Sequence, residues 1–411
     1  MTLRKKSTTV RFTTPQENII LASKLKLLAA AMATVGLLAA CGGGGGADTT
    51  PKAKVTSVKV MGDSLSDSGT FGFKFTVQGS ALTGAGSTMI WPERIADQFS
   101  QSLCAHFRAG DENLTTYQEV ATCTNYAVGG GRVNPLDAPT SPKSVLVQIQ
   151  IASKAGFSAD DLVVIDGGAN DAADVIGALI AAAKGNSQPL NAMVAWLDSK
   201  APGTSTALMT QAGGDASTFA GLAAGAYLQT LAKTLAGSIA QNVVAKGATR
   251  VAVLNVPAIT KTPRFQMVLA SIAQAAGGGD QGAAAAAKQE ASFDALVQVF
   301  NNQLAASLAG LSQVALVDFY TEFKSQISNP AQYDFDNVKD PVCPITGVDA
   351  SGLPTYTFPT CTAAALSATP GKSSPDWWQH HVFADSFHPT PYGHQQMSQL
   401  VSRSLARKGW L

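Results

Sequence analysis

Two short polar stretches at opposite ends of the chain carry side chains suited to acyl transfer. Ser64 stands in "GDSLSD", directly after the apolar run "SVKVM". A serine hydroxyl is a weak nucleophile until a base takes its proton, so a reactive Ser64 needs an imidazole from elsewhere. Such a base is offered by "VFADSFHPTPYGHQQM", where Asp385 and His388 lie three residues apart ahead of the last helical pattern, with Pro389 and Pro391 stiffening the turn. In one turn the carboxylate can hold the Nδ1–H of the ring, leaving the other nitrogen outward as a base. Taken alone, a Gly-Asp-Ser after a strand is a turn that caps the next helix, and the G-x-S-x-G elbow is absent. His380 and His381 fall in a proline-rich stretch and His394 falls inside the helix, so these read as structural.

A third stretch, "GGAND", ends an apolar strand run. Asn170 there could donate its amide to a developing oxyanion, or cap the helix that follows. The glycines of "NYAVGGGRV" let backbone N–H groups approach a ligand closely.

The elements that must position these residues follow from apolar patterning. Four short runs, "SVKVMGDS", "DLVVIDGGAND", "ATRVAVLNVP" and "SQVALVDFY", read as buried strands with the loops they feed, and they alternate with helical patterns around 141–156, 219–246, 288–310 and 392–407. That alternation predicts a three-layer α/β/α sandwich with a mostly parallel central sheet, whose ligands lie beyond the carboxyl ends of the strands. "GDSLSD" and "GGAND" leave the ends of two of these runs. Two segments break the alternation. Residues 172–218 are rich in Ala and Gly and read as an inserted, partly helical cap; residues 329–379 are a proline-rich excursion that needs a covalent staple. Each could equally be surface decoration.

Composition bounds the class. The 411 residues are 45% hydrophobic and 14% charged, as in a globular chain with a large core. Residues 1–40 combine a basic stretch with an apolar run from Leu27 to Ala40, read as a signal peptide. The run closes on "LLAAC", which resembles the bacterial lipoprotein signal and implies a lipidated Cys41. Residues 41–57 then form a Gly-rich tether and residues 58–411 the catalytic domain; plain secretion is the rival reading. Removing residues 1–40 leaves 23 basic and 27 acidic side chains of the original 29 and 28, and nothing there suggests a nucleic-acid partner. Cys104, Cys123, Cys343 and Cys361 suit two disulfides in an exported protein, and proximity favours 104 with 123 and 343 with 361. A zinc site lacks the paired spacing it would need.

In this order, "GDSLSDSG", "NYAVGGG", "GGAND" and "DSFHPT" resemble the SGNH hydrolases, the GDSL esterase/lipase family, and look most like its bacterial secreted lipase and esterase branch. The resemblance implies Ser64 as nucleophile, Asp385 and His388 as its partners, and an oxyanion hole from Ser64, Gly130 and Asn170, with Gly129 the alternative to Gly130. It implies an ester substrate, small or lipid, and no metal or cofactor. The two insertions leave the substrate open among lipase, carboxylesterase, phospholipase or acyltransferase, and polysaccharide O-acetyl esterase; Trp377 and Trp378 could line an acyl pocket or a sugar platform. A surface lipoprotein with a retired site is the non-enzymatic reading.

Overall fold

The computed structural model describes residues 53–79 and 88–411. The leader, Cys41 and most of the tether lie outside them. Eight strands occur in the described chain: β1 (Ser57–Met61), β2 (Phe107–Ala109), β3 (Tyr117–Glu119), β4 (Asp161–Ile165), β5 (Val251–Leu254), β6 (Val314–Val317), β7 (Ile345–Val348) and β8 (Pro354–Tyr356).

The four predicted runs form one all-parallel sheet in the order β1-β4-β5-β6, with Val58 opposite Leu162, Val163 opposite Val251 and Val253 opposite Leu316. Every residue of β4 and β5 is buried, because a parallel sheet is covered on both faces and its central strands have no wet side. Alternate side chains feed two separate cores. Met61, Val163, Ile165, Val251 and Val253 face one, together with residues of the helices Val145–Ala155, Ala169–Ala183, Ala216–Asn242 and Gly279–Leu308. Val58, Val60, Leu162, Val164 and Leu254 face the other, against the helices Trp91–Gln98, Phe319–Ser328 and Pro391–Arg407. The result is the expected α/β/α sandwich.

Beyond β1 the segment 124–128 adds a further row too short to count as a strand. Val60 N donates to Thr124 O (3.0 Å), Tyr126 N to Val60 O (2.7 Å) and Val128 N to Gly62 O (3.2 Å). This row carries the three-glycine loop to the carboxyl end of β1. The chain therefore turns to one side of β1 first and to the other side, β4, afterwards, which opens a crevice at that end of the sheet.

The disulfides join Cys104 to Cys123 and Cys343 to Cys361. The second staples the excursion, whose β7–β8 hairpin and flanking turns gather a small third core of Val77, Val342, Phe358, Leu366, Trp378 and Ala384. Trp378 is buried there and Trp377 gives its indole N–H to Leu366 O (2.8 Å). By contrast, residues 172–218 continue the Ala169–Ala183 helix and add the helices Gln188–Lys200 and Thr204–Gln211, which pack on the Ala216–Asn242 helix.

The helix Pro391–Arg407 starts with Thr390 accepting from Gly393 N (3.1 Å) and Pro391 at the first turn, as helix starts favour. Its His394 is wholly buried and accepts from Trp91 N (3.4 Å), so the two helices of this face meet through a neutral ring. Burial, with the positive charges of Arg94, His388 and Lys74 added to it, holds the His394 imidazole well below the ordinary histidine range. An unfolded chain takes up that proton below about pH 6.5 while the folded one does not, so stability falls with acidification by about 1.4 kcal/mol per pH unit from this group. His394→Gln should therefore lose about 2 kcal/mol less than the wild type between pH 6.5 and 4.5 in urea unfolding; parallel curves would refute the assignment.

Candidate active site

Ser64 sits in the turn that leaves β1, and that turn is pinned from below. Gly62 exchanges two hydrogen bonds with the buried Gln148 side chain (N to Oε1 2.7 Å, Nε2 to O 3.0 Å). A Cβ at position 62 would lie 1.7 Å from Asp166 Oδ1, so only glycine fits. Asp63 Oδ1 accepts from Leu65 N (3.0 Å), and Ser66 Oγ donates to Asp166 Oδ1 (2.6 Å). Asp63 and Asp166 are both buried beneath this turn. Burial pushes both carboxyls up, and the charge of Asp63 raises Asp166 further.

Above this base, His388 Nε2 lies 2.7 Å from Ser64 Oγ and His388 Nδ1 lies 2.8 Å from Asp385 Oδ2. The other Asp385 oxygen accepts from Phe387 N (2.7 Å) and His388 N (2.6 Å). Burial raises the Asp385 pKa, but the adjacent His388 charge and these hydrogen bonds outweigh it and hold the carboxyl below its ordinary value. The Asp385 carboxylate therefore stays ionised and selects the tautomer whose Nε2 accepts from the serine. The His388 ring is walled by Phe75 (centroids 5.3 Å), Phe358 (5.6 Å) and Phe387 (5.8 Å).

The glycine loop joins the same place. Asp67 uses one oxygen for Gly69 N (2.8 Å) and Thr70 N (2.7 Å) and the other for Gly129 N (2.7 Å), tying the nucleophile turn to the loop. With the Gly129 amide so engaged, the Gly130 N–H has no partner among the described residues. Gly130 adopts φ +73°, a left-handed conformation that favours glycine. Asn170, in the first turn of the Ala169–Ala183 helix, gives one amide hydrogen to Gly131 O (2.9 Å) and keeps the other. Asp171 accepts from Val133 N (2.8 Å) and Asn134 N (3.4 Å), locking this helix start to the same loop.

Two cavities touch Ser64. One, of about 30 Å³, is apolar and bounded by Ala169, Ile259, Phe319, Phe323 and Phe387. The other, of about 330 Å³, contains Ser64, Gly130, Asn170 and His388, with Tyr356 and Arg264 on its walls. The excursion thus contributes to the site, whereas no residue of 172–218 lines either cavity, nor do Trp377 and Trp378. Among the described residues no three His, Cys, Asp or Glu side chains are grouped to hold a metal ion.

Residues 58–401 match the sequence model of the GDSL-like lipase/acylhydrolase family. The chain belongs to that family. Membership supports ester hydrolysis as its general activity. Similar solved structures include an extracellular lipase from Streptomyces rimosus (17% identity, 85% of this chain and 100% of that chain covered, TM-score 0.39). Another is phospholipase A1 from Streptomyces albidoflavus (12% identity, 85% and 98% covered, TM-score 0.36). No curated protein sequence matches the chain.

Ser64, Gly130, Asn170, Asp385 and His388 thus come together at one strand end, while Cys41 lies outside the described residues. Sequence reasoning missed Gln148, Asp166 and the aromatic walls of His388. Asp67 caps its own turn and also serves the glycine loop. Burial raises the Asp67 pKa to about 6, so at neutral pH an ionised carboxylate is held by three backbone donors. Asp67→Ala strands those donors and should cost about 3 kcal/mol of stability together with at least a tenfold loss of kcat; a folded variant with unchanged kcat would show that the glycine loop keeps its place without Asp67.

Proposed function

We propose that the protein hydrolyses carboxylic esters through an acyl-enzyme on Ser64. The observation that carries this reading is the unbroken chain Asp385–His388–Ser64, at 2.8 and 2.7 Å, beside amide hydrogens that no described residue claims.

Ser64 Oγ attacks the ester carbonyl carbon while His388 Nε2 takes its proton, and the imidazolium formed is stabilised by Asp385. The tetrahedral oxyanion is held by the N–H groups of Ser64 and Gly130 and the remaining Asn170 amide hydrogen. The carbon–oxygen bond to the alcohol then breaks, His388 returns the proton to the departing oxygen, and water repeats the sequence on the acyl-serine. The buried carboxyl pair beneath the turn keeps the Ser64 backbone fixed through these steps.

Ser64→Ala should abolish hydrolysis of p-nitrophenyl butyrate with the fold intact, and should prevent labelling by a fluorophosphonate. Asn170→Ala should keep some activity but lose about 10²–10³ in kcat, the usual consequence of one missing oxyanion donor. Wild-type turnover in either variant would overturn the corresponding role.

We further propose that residues 1–40 direct export and that lipidated Cys41 anchors residues 58–411 to the cell envelope through the tether. The two disulfides support an oxidising compartment. Labelled palmitate should enter the wild type and not Cys41→Ser, which should move to the soluble fraction; equal labelling of both would exclude this anchor.

A further inference from the structure

Three phenylalanines close to His388 are left half-exposed, in the stretch "FGFKF" that no catalytic step uses. Phe71, Phe73 and Phe75 lie within 6.3 Å of one another, ring centre to ring centre. Together with Gly129 and Gly130 they line a trough of about 530 Å³, whose lining also includes Asp111 and Glu112. Exposed aromatic clusters of this kind mark binding surfaces.

The trough adjoins the reaction centre. Phe75 and Gly130 belong both to it and to the cavity holding Ser64 and His388, and the Phe75 ring lies tilted over the imidazole. Which half of an ester enters it follows from proton transfer. The departing oxygen must sit at His388 Nε2, so the alcohol half leaves past Phe75. The acyl half has the other way out of Ser64, the cavity of about 30 Å³ closed by Phe319, Phe323 and Phe387. That space accepts a short acyl tail and excludes a long one.

We infer that the preferred substrate is an ester of a short carboxylic acid with a neutral, extended apolar or aromatic alcohol, and that this alcohol lies along Phe71, Phe73 and Phe75. The inference rests on the acyl-enzyme reading and names the substrate class of that same site. Asp111 and Glu112 make the trough unfavourable for an anionic alcohol.

The test uses the purified chain and two ester series in which the leaving groups are all simple alkoxides. From ethyl to octyl acetate, kcat/KM should rise by about tenfold, as apolar area leaves water in the trough. Methyl acetate to methyl octanoate should show no such rise. Phe73→Ala should lower octyl acetate turnover by about tenfold and leave ethyl acetate within about twofold; Phe73→Trp should restore the preference. The ester 8-acetoxyoctanoate, the same chain ended by a carboxylate, should lose the gain. A flat acetate series, or an equal fall for ethyl and octyl acetate in Phe73→Ala, would overturn the proposal. So would a Phe73→Ala effect confined to the methyl esters, which would put the acyl chain in the trough. Undiminished turnover of 8-acetoxyoctanoate would overturn the neutral-alcohol assignment. Failure of every ester, with Ser64 unlabelled by a fluorophosphonate, would instead remove the hydrolase reading on which the inference stands.

Discussion

The contact between Ser64 Oγ and His388 Nε2 joins groups 324 residues apart, and most of the fold is arranged so that this contact can be made. A hydroxyl and an imidazole must meet within a few tenths of an ångström to transfer a proton. Neither flanking loop could hold that position alone. The nucleophile turn is fixed to the end of β1 by Gln148 and Asp166, while the histidine turn is fixed to the start of the Pro391–Arg407 helix by Thr390. The register between them is set one layer down, where that helix packs on the Trp91–Gln98 helix and on the apolar face of the sheet. Core packing transmits position because close-packed interiors yield little to strain.

The polar side of the same arrangement is costly. Asp63, Asp67, Asp166 and Asp171 are all buried around the strand ends. Burial raises Asp67 and Asp171 to about 6, roughly two units above the ordinary carboxylate, so each ionised group opposes folding at neutral pH by on the order of 3 kcal/mol. The backbone donors that converge on these carboxylates account for their retention. Loops without regular hydrogen bonding need acceptors for their N–H groups, and here one carboxylate serves two loops at once. Among the described residues, the Gly130 N–H and one Asn170 amide hydrogen are left without a partner beside the cavity that holds Ser64. Stability is lost at the carboxylates, and the loops gain a fixed shape around a set of unclaimed amides.

Much of this was legible in the sequence, for reasons that differ by residue. The four strands announced themselves because buried parallel strands are unbroken apolar runs. Ser64, Asn170, Asp385 and His388 stood out because each sits where such a run ends or a helix begins. Gly130 could not be separated from Gly129 by sequence, since both are glycines in one loop; the difference is that Asp67, 62 residues earlier, engages one of their amides. Asp166 directly follows the second apolar run, and its place under the nucleophile depends on β1 and β4 being neighbours. The row at 124–128 escaped because its hydrogen bonds to β1 are too few to demand a β-rich composition. Residues 172–218, expected as a cap, lie with the outer helices; their Ala-rich faces suit helix packing as well as a binding surface, and only the tertiary partners distinguish the two.

The excursion at 329–379 answers a different need. Phe75 and Phe358 flank the imidazole, yet Phe75 lies in no strand or helix and Phe358 only opens the single 3-10 turn Phe358–Thr360, so regular secondary structure does little to hold them. They are held by cross-links between loops. Gln78 N donates to Cys361 O (2.8 Å) and Ala363 N to Gln78 O (2.8 Å), while Val342 N and Cys343 N donate to Phe383 O (3.1 Å) and Ala384 O (2.8 Å) just ahead of Asp385. The Cys343–Cys361 disulfide closes the loop between those two sets of bonds. Closing it removes conformational freedom mainly from the unfolded chain, a contribution of about 3 kcal/mol for a loop of this size. An irregular segment with a small core of its own gains enough from that staple to keep two rings against His388, and the aromatic wall can then be shaped by binding rather than by the demands of the sheet.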